Sequence, residues 1–319
     1  MAKDYVVGVD VGGQSVKLGL VDRLGNISKR KVFSSLTFGA DDTEKFLDTL
    51  CDNIKEVCSE VGLNSVQGVG IGAPDGNYYN GTIVDAVNLP WAKGKTVPLK
   101  DYINVKLGLP VTVTNDANAA AEGEMIYGNA KGMKNFIEIT LGTGVGSGIV
   151  INGQVVYGHD GFAGELGHTT AVRNNGRACG CGKQGCLEAY CSAIGVAKTA
   201  REWLEMSDEP SALRMVDNIS SKDVYDAAKE GDALAIRVFE FTAKMLGRQF
   251  ADFVAFSAPE AIVLFGGLAR AKEFLYQPML DSMNENLLKI WKDKVEIVFS
   301  QLKESDAAIL GASALAWEL

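Results

Sequence analysis

Residues 5–21 read YVVGVDVGGQSVKLGLV and residues 136–151 read FIEITLGTGVGSGIVI. Each is an apolar strand, a turn dense in glycine and a returning strand, which predicts a hairpin whose backbone amides can face an anion. In the first, Gly12, Gly13 and Gln14 form the turn, Asp10 is placed to reach a magnesium ion, and Lys17 is placed near phosphate. In the second the turn is Gly142, Thr143 and Gly144. Taken singly, either could be a glycine hairpin with no ligand. Two in matching contexts, about 130 residues apart, predict an internally duplicated α/β fold whose two lobes each offer a turn to one triphosphate in the cleft between them.

The second hairpin leads into GHDGFAGELGHTTAVRNNGRACGCGKQGCLE, residues 158–188, where glycine excludes any long helix or strand. His168, Cys179, Cys181 and Cys186 stand there as H-x10-C-x-C-x4-C. One imidazole and three thiolates fill a tetrahedral zinc shell, which predicts a closed structural ion. Gly180, Gly182 and Gly185 provide the turns that let the sulfurs face one point. Inert thiols or a disulfide are the alternatives; CxC neighbours pair poorly as a disulfide. Glu165 and Glu188 bracket the ligands, and a metal-bound imidazole has a second nitrogen that must donate to something. If a ligand hydroxyl accepts it, the loop grips a polyhydroxylated molecule; otherwise these are surface carboxylates beside a structural ion.

Between the hairpins, VTVTNDANAAAEGEMIYG (residues 111–128) turns from a β-branched strand into strong helix formers. Asn115 and Asp116 fall at the corner, where a helix N-terminus favours a carboxylate. An ionised aspartate there suits a general base for a hydroxyl, and plain N-capping suits it equally. Upstream, VQGVGIGAPDGN is a buried strand running into a turn, so Gly76, Asn77 and later Asn88 are candidate contacts in loops that follow parallel strands, or simple turn formers. Residues 41–61 carry an apolar stripe at helical spacing (Phe46, Leu47, Leu50, Ile54, Val57, Val61) with Asp41 and Glu44 at its start. Cys51 and Cys58 read as core residues of that helix. Ser220 and Asp223 read as a capping box. The strand AIVLF ends in Gly266 and Gly267, where an adenine or ribose can lie against the backbone.

Composition bounds the rest. The 319 residues suffice for two lobes, 47% are hydrophobic, and the net charge of -9 disfavours a nucleic-acid surface or anionic lipid. No apolar run approaches membrane-spanning length, and the chain enters a strand at Tyr5 without a signal-peptide pattern. A cytoplasmic protein is expected, in a compartment that keeps thiols reduced.

GFAGELGH followed by CGCGKQGCLE resembles the signature of the ROK family of sugar kinases and sugar-responsive repressors. VDVGGQSVK is similar to that family's first phosphate motif, GIGAP and NLPW to its sugar-side loops, NDANAAAEGE to its catalytic segment, LGTGVGSG to its second phosphate motif and IVLFGGLA to its nucleotide-side turn. The resemblance implies a two-lobed actin-like ATPase (ribonuclease H-like) fold. Its lobes would be residues 1–115 and 116–305, with a final helix at 306–319 packing back on the first. It further implies ATP, Mg2+ and a structural Zn2+, Asp116 as catalytic base, and Asn115, Glu165, His168 and Glu188 holding the sugar. Glucose phosphorylated at its 6-hydroxyl is the expected reaction, with fructose, mannose, allose and N-acetylhexosamines as alternative acceptors, and a homodimer is the expected assembly. A sugar-sensing repressor needs a DNA-binding segment ahead of the sugar fold, and only four residues precede Tyr5 in an acidic chain, so the kinase ranks first. Two positions depart from the pattern: Gln14 stands where the family has threonine, and Asp75 interrupts its Pro-Gly.

Overall fold

The computed structural model describes residues 3–319. The first part of the chain forms β1 (Tyr5–Val11), β2 (Ser15–Asp22), β3 (Ile27–Ser34), α1 (Thr43–Val57), β4 (Val66–Gly72), β5 (Gly76–Asn77), β6 (Thr82–Val84) and β7 (Thr96–Val97). Then come α2 (Leu99–Leu107), β8 (Val111–Thr114), α3 (Asp116–Ile126), β9 (Phe136–Leu141), β10 (Val145–Ile151) and β11 (Gln154–Val155). The remainder forms α4 (Glu188–Cys191), α5 (Ala193–Met206), α6 (Ser221–Lys229), α7 (Ala233–Ser257), β12 (Ala261–Phe265), α8 (Lys272–Asn286), β13 (Glu296–Phe299) and α9 (Glu304–Leu315). Two compact units result. One takes the residues up to Met133 with Gly148–Gly164 and Gln301–Leu319; the other takes Lys134–Ser147 and Glu165–Ser300.

In the first unit β1 pairs antiparallel with β2, which pairs with β3, while β4 and β8 continue the other side in parallel, giving the order β3-β2-β1-β4-β8. Alternation along β1 sends Val7, Val9 and Val11 into a core with Phe46, Leu50 and Ile54 of α1 and Ile103 of α2. Trp91 stacks on Phe46 there, centroids 3.7 Å apart. Asp42, the N-cap of α1, makes no side-chain cap bond and instead accepts from the Gly39 N–H at 2.8 Å. A cap is worth about 1 kcal/mol and each buried large apolar side chain about 1.5–3 kcal/mol, so the stripe Phe46, Leu47, Leu50, Cys51, Ile54 and Val57 holds α1 in place.

Val6 looks the other way, into a cluster with Ile309 and Leu310 of α9. Here the helix backbone rests on the strands: a Cβ at Gly8 would collide with Ile309 O, and one at Gly70 with Ala312 O. Only glycine permits so close an approach. Helix α3 crosses α9 at another glycine contact, a Cβ on Gly123 lying 2.8 Å from the Gly311 Cα.

The second unit repeats the plan. β9, β12 and β13 are parallel, and β10 lies on the far side of β9. β10 runs on past Gly148 into residues of the first unit, where its end pairs antiparallel with β11. Helices α7 and α8 pack together, with Leu246, Phe250 and Met279 fully buried. Ser220 and Asp223 form the reciprocal capping box at the start of α6. No described helix is long and apolar enough to cross a membrane.

The division differs from a boundary at 115/116. Helix α3 belongs to the first unit because its glycine face is spent on α9, and a strand-to-helix corner does not by itself end a packing unit.

Candidate active site

In the first unit the candidate residues gather at the carboxyl ends of the parallel strands β1, β4 and β8, where α/β sheets offer their ligand sites. Asp10, next to last in β1, lies opposite Lys17 in the β1–β2 register, its carboxylate 3.8 Å from Lys17 Nζ. The Gly12 N–H donates to Ser15 O at 3.0 Å and closes the turn through Gly13 and the exposed Gln14. Burial pushes the Asp10 carboxyl up to about 6; Lys17 opposes the rise and Asp116 adds to it.

At the end of β8 the capping question is resolved. Asn115 is the N-cap, its Oδ1 accepting the Ala117 N–H at 2.8 Å, so Asp116 is the first residue of α3 and not its cap. Asp116 Oδ1 shares that same N–H at 2.9 Å. The Asp116 side chain is open to solvent, yet burial by the protein mass around it raises its pKa, and the Ala117 N–H only partly offsets this. The helix terminus thus loses to desolvation.

The turn after β4 is pinned by the Ala73 N–H to Thr114 O at 2.9 Å. Asp75 sits in it at φ 54°, its carboxyl raised by burial and by the neighbouring Asp116 and Asp85. In sequence it was visible only as a departure from a pattern. Gly76 is buried, and a Cβ there would strike Thr114 O, so it closes the turn. Asn77 is 3% exposed and spends both ends of its amide on protein: Nδ2 donates to Asp160 O at 2.6 Å, and Oδ1 accepts from the Tyr79 N–H at 3.1 Å. It ties down the turn at 158–161. Asn88 is exposed, with its carbonyl 3.1 Å from where a Gly13 Cβ would stand, against the glycine turn 12–14.

In the second unit Gly142, the exposed Thr143 and Gly144 follow β9, and Gly266 and Gly267 follow the adjacent parallel strand β12. A Cβ on Gly266 would lie 2.5 Å from Leu141 O, so the two turns adjoin. The Ala193 N–H, at the start of α5, donates to Gly142 O at 2.9 Å. Glu188 Oε2 accepts the Val145 N–H at 2.9 Å, just past the turn.

The cysteine loop folds as a knuckle. Thr170 bridges to Cys186 and Ala178 to Gln184, and the Cys179 N–H donates to Lys183 O at 2.9 Å. Gly182 (φ 88°) and Gly185 (φ 77°) take the left-handed region, and a Cβ on Gly185 would run into Val172 O. Gly180 faces open space and is not needed for the turn. All six cysteines are free thiols. The His168, Cys179, Cys181 and Cys186 ligand atoms lie within 4.8 Å of one another, with His168 Nδ1 3.6 Å from Cys179 Sγ and Cys181 Sγ 3.7 Å from Cys186 Sγ. A tetrahedron with metal–sulfur bonds of about 2.3 Å has edges of about 3.7 Å, so the donor set fits zinc in number, type and spacing. His168 Nε2 points the other way, 3.9 Å from Glu165 Oε2. Behind the loop Arg177 stacks on Tyr190 and pairs with Glu202, a brace that sequence reading missed because a lone arginine among glycines carries no periodic signal.

The profile of the ROK family matches residues 6–318. A glucokinase from Halalkalibacterium halodurans is 36% identical over 98% of this chain and 94% of its own length. Among solved structures, a ROK family glucokinase from Streptomyces griseus in complex with glucose and AMPPNP is 33% identical, with a TM-score of 0.79 over 99% of this chain and all of that one. A ROK family transcriptional regulator superposes with a TM-score of 0.86 at 27% identity, over 98% of this chain and 78% of its own. These likenesses carry the actin-like ATPase fold that the duplicated sheets display.

Proposed function

The chain belongs to the ROK family, and on that footing we propose that it is a sugar kinase that transfers the γ-phosphoryl group of ATP to a hexose, converting glucose to glucose 6-phosphate. The observation that carries this reading is the placement of Asp116, an acid freed from capping duty by Asn115, open to solvent, and in the field of Asp10. The choice of glucose and ATP is supported by the glucokinase relative and by the similar structure that holds glucose and AMPPNP.

Asp116 accepts the proton of the primary hydroxyl as that oxygen attacks the γ-phosphorus in line. A carboxylate is a far weaker base than an alkoxide, so the proton moves late and most of the acceleration comes from positioning. Asn115, Glu165, His168 and Glu188 hold ring hydroxyls, while Gly76, Asn77 and Asn88 shape the loops beside them. The amides of residues 12–14 and 142–144, with Lys17, face phosphate oxygens where charge develops. Gly266 and Gly267 leave room for the nucleoside. Asp10 would hold magnesium, which when bound neutralises phosphate charge. His168, Cys179, Cys181 and Cys186 would hold zinc, which when bound fixes the imidazole as a rigid donor. A cytoplasmic homodimer completes the proposal. The free thiols of the loop suit a reducing compartment, and light scattering checks the dimer.

A coupled assay over glucose, fructose, mannose, allose and N-acetylhexosamines, run with ATP and with polyphosphate, tests the reading. Glucose with ATP is expected to give the highest kcat/KM. Absence of donor-dependent turnover on every hexose would sink it, and a preference for another acceptor or donor would correct the substrate.

A further inference from the structure

Glu188 is assigned above to the sugar, yet its observed contact is elsewhere. One carboxylate oxygen accepts the Val145 N–H at 2.9 Å, at the foot of the glycine turn 142–144. The other lies 3.6 Å from the sulfur of Cys179, and Cys186 precedes Glu188 by two residues. Gly144 is shaped around this carboxylate, since a Cβ there would overlap Glu188 Oε2. The same short segment grips the turn at its other end, through the Ala193 N–H to Gly142 O. The turn itself closes on a single internal bond, the Gly142 N–H to Gly144 O at 3.0 Å. A glycine turn held so sparsely loses conformational entropy when it must order its amides around phosphate, and an external strut removes that cost beforehand.

We propose that Glu188 is a positioning residue for the nucleotide, a strut from the cysteine loop that holds the phosphate-facing turn 142–144 in its binding shape. The proposal rests on the kinase reading of that turn. Reach matters most in it: the carboxylate needs its full side-chain length to meet the Val145 N–H, and a neutral carbonyl oxygen of the same length still accepts that bond, if less strongly.

Two variants of the full chain separate reach from charge. Glu188→Asp keeps the charge and shortens the arm by one methylene; Glu188→Gln keeps the arm and removes the charge. AMPPNP with Mg2+ is titrated calorimetrically in the absence of sugar, with thermal midpoint and bound zinc measured on the same samples. Glu188→Asp is expected to weaken AMPPNP about 5–10-fold, and Glu188→Gln to stay within about twofold of the parent, a pattern that follows from losing and keeping one net hydrogen bond. Parent-like affinity in Glu188→Asp, or equal weakening in both variants, overturns the strut. A purely sugar-contacting Glu188 would move glucose affinity in both variants and leave AMPPNP unmoved. Failure of the parent to bind AMPPNP at all would count against the kinase reading itself.

Discussion

Asp116 and Asn115 divide a task that one residue could have done. The cap bond goes to Asn115, and Asp116 keeps a solvent-open carboxylate that accepts the same Ala117 N–H. Asp116→Ala should therefore leave folding nearly unchanged and cost about a hundredfold or more in turnover, the usual worth of a general base. Glucose affinity by titration should hold within a few-fold, and near-normal turnover would remove Asp116 from the mechanism. As the proposed base Asp116 must be ionised, and burial has raised its pKa, so kcat/KM should fall as pH drops through a range above that of ordinary aspartates. Asp10, at about 6, adds to the loss on the same side. A profile that falls only where ordinary aspartates titrate would contradict both. The residue types at this corner could not tell which of the two caps the helix, because capping and proton abstraction call for the same side chains; hydrogen-bond geometry gives the cap to Asn115. Sequence also could not show that the Asn77 amide bonds Asp160 and Tyr79, since a turn asparagine tied to its own protein and one facing solvent look alike in one dimension.

At the scale of elements, burial sets what can be tested. Glu122, on α3 and 5% exposed, has its carboxyl pushed up to about 7 by burial, with Glu318 adding to the rise. A carboxyl whose folded pKa exceeds its unfolded value stabilises the protonated protein, and that contribution is lost as pH rises from about 4.5 to 7. Glu122→Gln should accordingly raise stability at pH 8 by on the order of 1–3 kcal/mol and have a much smaller effect at pH 5. Thermal melts at the two pH values check the sign. In the cysteine loop, Cys181→Ser should drop bound zinc well below about one per chain and lower the thermal midpoint, since structural zinc sites contribute folding free energy directly. Elemental analysis and melts decide; unchanged metal content would break the ligand set. The hairpins, α3 and the knuckle were legible because each carries a local signal of period, cap or spacing. β3 was not, because Lys29, Arg30 and Lys31 break the apolar pattern of a strand; in the fold it is the edge strand, its cations paired with Glu60, Asp306 and Glu56.

For the molecule as a whole, the duplication was visible in two matching hairpins, and the sheets repeat it strand for strand around β1 and β9. The division between units was not visible, because it depends on which faces of α3 and α9 meet, and small residues announce no partner. Gly70→Ala should cost about 3 kcal/mol or more, the upper end for overpacking, because the added methyl meets helix backbone that cannot rotate away. Denaturant titration gives the number, and a loss under 1 kcal/mol would mean that α9 does not bear on β4. That bearing also governs synthesis. The strands that α9 covers, β1 and β4, are made some 230–300 residues before it, so at about 5–20 residues per second the nascent first unit waits roughly 10–60 seconds with one sheet face uncovered by α9. A chaperone that shields emerging apolar β-structure should govern the yield of this protein more than its final stability does.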